Sequence, residues 1–194
     1  MQISHVSLYL LSWYNAFVKK KNKKTIVVVS GGFDPIHIGH VRLMREAKKL
    51  GDRLIVVLNN DNWFGIKGRK LFMPQDERKE IIEALSCVDE VILTKHKPSK
   101  KIYRRNTREY SICRELEEIK PDIFANGGDR FADDVPEFQT CKELGIQMVF
   151  NVGKGGKIRS SSELLKEYSL NQNKDFGRAP HSNRMGLAKH IKSK

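Results

Sequence analysis

The segment Thr25–Ser30 (TIVVVS) runs directly into Gly31-Gly32-Phe33-Asp34-Pro35-Ile36-His37-Ile38-Gly39-His40. This junction constrains the chain more than any other part of its 194 residues. An uncharged run dominated by β-branched side chains reads as a strand buried on both faces. The Gly-Gly pair and the proline force a sharp turn after it. Val41, Leu43, Met44, Ala47 and Leu50 then repeat at helical spacing until Gly51 stops them. Strand, tight turn and helix in that order belong to a parallel sheet covered by crossover helices.

The rest of the sequence repeats this alternation. Arg53–Leu58 (RLIVVL) is a second strand, and Pro74 opens a helix through Leu85 with Ile81, Ile82 and Leu85 facing inward and acids in its first turn. Val88–Leu93 is a third strand and Thr107–Ile119 a helix. Asp122–Ala125 is a short strand, Pro136–Leu144 a helix and Ile146–Val149 a fifth strand. Ser160–Tyr168 is a last helix with a serine cap and Glu163 behind it. The expected fold is a single doubly wound, Rossmann-like α/β domain over residues 25–170. A basic extension, 1–24, precedes it, and a polar, aperiodic tail, 171–194, follows and is read as disordered.

In such sheets the ligand crevice lies beyond the carboxyl ends of the strands. The turn after the first strand offers Gly31 and Gly32 for close backbone approach and a helix N-terminus for an anion. His37 and His40 share a face of the first helical turn, and Gly39 between them leaves space against the backbone. Two imidazoles at a helix N-terminus suit charge developing on a phosphoryl group. Acyl transfer would call for a nucleophile, and the turn holds no Ser or Cys.

At these residues the chain resembles the cytidylyltransferase-like nucleotidyltransferases, with their G-x-F-D-x-x-H-x-G-H signature after the first strand. The resemblance runs from Ile26 to about Leu170 and looks closest to glycerol-3-phosphate cytidylyltransferases and to the adenylyltransferase domain that makes ADP-heptose. LGDRLIVVLNND (50–61), KGRK (67–70), P-x-x-x-R (74–78), VDEVI (88–92) and NGGDR (126–130) agree with it. The resemblance implies that a phosphorylated small alcohol or sugar attacks the α-phosphate of CTP or ATP and releases pyrophosphate, with CTP slightly favoured.

His37, His40 and Lys67 are then the catalytic candidates, Lys67 lying in a stretch, NWFGIKGRK, that reads as mobile. Gly31, Gly32, Phe33 and Gly39 would line the nucleotide. Ser160, Ser161 and Ser162 stand in the places of a late serine/threonine motif, and Arg159 replaces a small apolar residue there. Asp129 is read either as a nucleotide or acceptor contact or as a turn-capping residue. Mg2+ is expected with the triphosphate, while Asp34 reads as a turn residue and not as a metal ligand. Relatives of this kind commonly pair, so a homodimer is expected.

The charge distribution bears on the alternatives. The formal charge is +13, yet residues 1–24 hold five Lys and no acid, and 171–194 hold six basic residues and one acid. Segment 95–108 holds seven basic residues and no acid. The remainder carries 18 basic and 22 acidic residues, so the body is slightly acidic. A nucleic-acid-binding module could use the basic segment and ends, with Tyr103 stacking; Arg104, Arg105 and Arg108 read better as a clamp on an anionic acceptor. His37–His40 also spells HIGH, as in class I aminoacyl-tRNA synthetases, but no KMSKS-type lysine loop accompanies it and the length allows no tRNA-binding domain. A silent homologue that only binds nucleotide is the remaining alternative. Cys87, Cys113 and Cys141 form no CxxC pair and read as buried thiols of a reducing compartment. The apolar stretch 6–18 is too short to span a bilayer and has its lysines behind it, so the chain is expected in the cytoplasm without membrane contact.

Overall fold

Five short strands, all parallel, form the sheet: β1 (Ile26–Gly31), β2 (Arg53–Leu58), β3 (Glu90–Leu93), β4 (Ile123–Ala125) and β5 (Gln147–Val149), in the order β3-β2-β1-β4-β5. The computed structural model describes residues 23–102, 107–128, 135–153 and 159–175, of which 172–175 are described as backbone alone. The helices are α1 (Ile38–Lys48), α2 (Asp61–Ile66), α3 (Gln75–Glu83), α4 (Cys113–Ile119), α5 (Phe138–Leu144) and α6 (Ser161–Asp175). No helix among the described residues is long and apolar enough to cross a membrane. By its contacts the chain divides into a unit ending at Ser161 and a second beginning at Ser162, whose described part is the remainder of α6.

Strand pleating sorts the apolar residues into two cores. Val27, Val29, Leu54, Val56 and Leu58 face α1 and α3, packing with Met44, Ala47 and Ile82. Val28, Ile55, Val57 and Phe124 face the other way, toward Ile112, Leu116 and Cys141 on the α4–α5 side. This two-faced burial is what a parallel sheet requires, since its strands have no solvent face.

Four elements differ from the sequence expectation, each for a visible reason. The stretch expected to be mobile contains α2, begun by Asn60, whose Oδ1 accepts the Trp63 N–H at 3.2 Å, and anchored by buried Trp63, Phe64 and Ile66. The helix expected over Thr107–Ile119 breaks into a 3-10 turn (Arg108–Tyr110) and α4. Ser111 causes the break, because its hydroxyl donates to the Arg108 carbonyl and accepts from the Cys113 N–H in place of helical bonds. Ile81 is 38% exposed, not inward, because fully buried Arg78 and Ile82 occupy the inner stripe of α3. Finally, α6 continues through Asp175, past the helix end expected at Tyr168, since no Gly or Pro interrupts Ser160–Asp175. Cys113 and Cys141 are buried and Cys87 partly so, all as free thiols, and burial pushes the Cys141 thiol up to about 12.

Candidate active site

Strand order reverses direction at β1, which pairs with β2 on one side and β4 on the other. That reversal leaves a crevice at the carboxyl edge, where open α/β sheets bind their ligands. The turn 31–40 leaves β1 at this point, and Asn126-Gly127-Gly128 leaves β4 beside it.

The turn is built tightly. Phe33 is buried and adopts a positive φ of 48°, a backbone conformation that a bulky residue holds only when its surroundings impose it. A Cβ on Gly32 would lie 2.9 Å from Phe64 Cζ and 3.2 Å from Trp63 Cζ3, so that glycine serves the close approach of α2. Asp34 spends both carboxylate oxygens on backbone, taking the Phe72 N–H at 2.8 Å and the Met73 N–H at 2.7 Å. Its chemistry is that of a turn residue.

His37 and His40 lie together. Their rings stack with centroids 3.7 Å apart at 21°, and the edge of Phe33 closes over His40 at 4.9 Å. His37 is the N-cap of α1, and its Nδ1 accepts the Gly39 N–H at 3.1 Å; His40 Nδ1 accepts the His37 N–H at 3.3 Å. Each Nδ1 acts as an acceptor, so each ring in its neutral form carries its proton on Nε2. The space beside Gly39 is taken by the His37 ring itself: an added Cβ would meet His37 Cε1 at 2.9 Å. Burial, reinforced by the charge of His37, pushes His40 down to about 3, so His40 is uncharged at neutral pH.

Lys67 caps the C-terminus of α2, and its Nζ lies 4.1 Å over the Trp63 ring and 5.3 Å from that of Tyr110. Ser161 donates its hydroxyl to the Pro35 carbonyl at 3.0 Å, and the Arg159 carbonyl passes close to Gly39, which brings 159–161 beside the histidine turn. Ser162 is exposed on α6, in the second unit. Arg108 is exposed and pairs with both oxygens of Glu117 on α4 at 2.7 and 2.8 Å. Asp129, Arg104 and Arg105, like Tyr103, lie outside the described residues.

Three residues of this edge escaped the sequence reading as site components. Arg78, fully buried, donates to the carbonyls of Gly32 (2.6 Å), Asn59 (2.9 Å) and Met73 (2.9 Å), pairs with Asp61 at 2.6 Å and lies on the Phe64 ring. It ties the first turn to the end of β2 and the start of α2. Asn59 and Asn126 follow β2 and β4 on either side of β1. Both are buried, and their Oδ1 and Nδ2 atoms respectively have no hydrogen-bond partner among the described residues. All three lie in stretches the sequence had marked, LGDRLIVVLNND (50–61), P-x-x-x-R (74–78) and NGGDR (126–130), without a role being read for them. Among the described residues no group of three His, Cys, Asp or Glu side chains forms a metal cage. A divalent cation carried on a nucleotide's phosphates needs none.

A doubly wound parallel sheet with a tight turn and a helix N-terminus at its switch point has the layout of a nucleotide-handling α/β domain. The cytidylyltransferase-like family model matches residues 28–166, and the chain belongs to that family. The FAD synthase of Picrophilus torridus is 32% identical over 142 residues, covering 72% of this chain and 93% of that protein. The bifunctional protein HldE of Streptomyces coelicolor is 36% identical over 143 residues, 73% of this chain but 28% of its own length. Among solved structures, a lipopolysaccharide core biosynthesis protein from Thermoplasma volcanium matches with a TM-score of 0.52 at 29% identity, over 66% of this chain and 94% of that one.

Proposed function

We propose that this nucleotidyltransferase moves the adenylyl group of ATP to a phosphorylated small molecule. An acceptor phosphate oxygen bonds to the α-phosphorus, the bond from that phosphorus to the oxygen bridging the β-phosphate breaks, and pyrophosphate leaves with that oxygen. The observation that carries the reading is the histidine pair. Two Nε2–H donors, fixed by backbone N–H bonds to Nδ1 and set at the N-terminus of α1, suit the charge that builds on a transferring phosphoryl group. Lys67 supplies a cation that leaves the Trp63 face for the phosphates. Mg2+ enters on the triphosphate and neutralises part of its charge.

The sequence favoured CTP slightly. The adenine-containing product named for the Picrophilus relative turns the proposal to ATP, with FMN, the precursor that adenylyl transfer converts to FAD, as the first acceptor to try. The similarity to HldE keeps sugar phosphates of the ADP-heptose type as the second.

The test is pyrophosphate release with Mg2+ from the four nucleoside triphosphates against FMN, heptose 1-phosphate and glycerol 3-phosphate. ATP with one of the first two is expected; turnover confined to CTP would overturn the adenylyl assignment. His37→Ala and His40→Ala are expected to lose about a hundredfold or more in kcat, the scale of removing one preorganised donor. Unchanged turnover in both would overturn the catalytic assignment.

A further inference from the structure

The tip of α2 carries a basic stretch, Lys67-Gly68-Arg69-Lys70, whose first member is held differently from the other two cations. The helix ends in a glycine turn. Gly68 takes a φ of 65°, its N–H donates to the Gly65 carbonyl at 3.1 Å, and the Arg69 N–H donates to the Phe64 carbonyl at 2.9 Å. Past that turn Arg69 and Lys70 are exposed, whereas Lys67, just before it, is half-buried. Lys67 stands four residues after Trp63, so helix geometry lays its stem back along the indole. Its ammonium rests 4.1 Å over the Trp63 ring and 5.3 Å from the Tyr110 ring. The two rings lie 5.3 Å apart at 44° and make two walls of one seat.

We infer that Tyr110 is a positioning residue: with Trp63 it forms a resting seat that holds Lys67 off the crevice until a triphosphate draws the ammonium away. The inference rests on the proposed transfer reaction for the role of Lys67. Three observations carry it. First, the backbone of Lys67 is fixed and its side chain is not. The glycine turn and the bond from the Lys67 N–H to the Trp63 carbonyl at 3.0 Å pin the main chain, which leaves the four-carbon stem to make the move. Second, the seat adjoins the histidine turn. A Cβ on Gly32 would lie 3.2 Å from Trp63 Cζ3, so the indole that carries the ammonium on its face touches the turn with its edge.

Third, the seat is held from outside α2. Trp63 Nε1 donates to the Tyr110 carbonyl at 3.0 Å, and Ile102 covers Gly68, where an added Cβ would meet its Cδ1 at 3.0 Å. Residues on both flanks of the basic segment thus grip the tip of α2. A ring face attracts an ammonium less strongly than the several charges of a triphosphate do, so the seat keeps the lysine only while no phosphate is near. Holding Lys67 in a state that cannot meet the phosphates taxes nucleotide binding, and this fixes the sign of the test. A resting seat, once weakened, lets nucleotide bind tighter; a seat that held Lys67 in its working place would, once weakened, let nucleotide bind less tightly.

The test uses the whole chain and two readouts, equilibrium binding and tryptophan emission. The chain has two tryptophans, so a Trp13→Phe background leaves Trp63 as the reporter. Mg2+ with ATP, CTP or inorganic tripolyphosphate is the probe; the last has no base to quench the indole. Tripolyphosphate is expected to shift Trp63 emission at the concentrations at which it binds, and Lys67→Met to abolish the shift. Tyr110→Leu, which spares the carbonyl bonded to Trp63, is expected to bind ATP about threefold tighter, while Tyr110→Phe, which keeps the ring, matches the parent. In a Lys67→Met background Tyr110→Leu is expected to change nothing. Unchanged or weaker ATP binding in Tyr110→Leu, or emission that no triphosphate moves, overturns the resting seat even where adenylyl transfer is found. An emission shift and tighter Tyr110→Leu binding with CTP, together with transfer from CTP alone, overturns the adenylyl reading and leaves the seat standing.

Discussion

Two imidazoles 3.7 Å apart cannot both carry charge cheaply, and His40, shielded by Phe33, is the one kept neutral. Its value of about 3 in the fold lies below the 6.5 of the unfolded chain, so the unfolded state binds the extra proton first. The contribution of neutral His40 to stability is whole above pH 6.5 and declines as pH falls toward 3. His40→Gln is expected to flatten the fall in urea midpoint between pH 6.5 and 4; an unchanged slope would remove His40 as its source. Arg78 works at the same scale without titrating. Arg78→Met would strand three carbonyls and Asp61, and a loss of about 3–5 kcal/mol in urea unfolding is expected. The sequence marked both histidines, because His-x-Gly-His after a strand has few structural readings. Arg78 was visible as the last residue of P-x-x-x-R (74–78), but its role was not, because nothing local distinguishes an arginine that points into the core from one that points out.

Among the elements, legibility followed how much the chain's own pattern decides. β2 was expected and found at Arg53–Leu58, since an unbroken β-branched run buried on both faces allows little else. α2 was missed because six residues with a glycine among them carry no helical period. Its existence depends on the Asn60 cap and on tertiary burial of Trp63, Phe64 and Ile66. Asn60→Ala should accordingly cost about 1 kcal/mol for the cap. It also removes the amide bond to the His96 carbonyl at 2.8 Å. Because Lys67 ends the same helix, nucleotide KM is expected to rise in Asn60→Ala while the His40-dependent pH slope stays; an effect on stability alone would detach α2 from the site. Gly32→Ala addresses the contact from the other side, pressing a methyl into Phe64 and Trp63, and is expected to destabilise by about 1–3 kcal/mol.

At the scale of the whole molecule, the two edges of the sheet answer pH differently. The carboxyl edge carries His40 and His96, both lowered chiefly by burial, and both resist protonation below pH 6.5. The amino edge is held by carboxylates. Asp122 accepts the Ile26 N–H at 2.9 Å and pairs with Lys23 at 2.7 Å, and the backbone bond, then Lys23, keeps it below its ordinary value. Asp89, against a raising effect of burial, is lowered by Lys48, the Leu54 N–H and Arg53. A carboxylate lowered in the fold stabilises it above the unfolded pKa near 4 and loses that contribution as pH falls through the folded value. Acid unfolding should therefore have two limbs, a histidine limb beginning near pH 6.5 at the carboxyl edge and a carboxylate limb beginning near pH 4 at the amino edge. Denaturation midpoints followed from pH 8 to 3 should show His40→Gln flattening only the upper limb, and Asp89→Asn with Asp122→Asn flattening only the lower. If the carboxylate variants instead changed the slope between pH 6.5 and 5, the two edges would be coupled. The loss of the carboxyl-edge crevice in acid would then be a property of the whole sheet and not of the histidine turn.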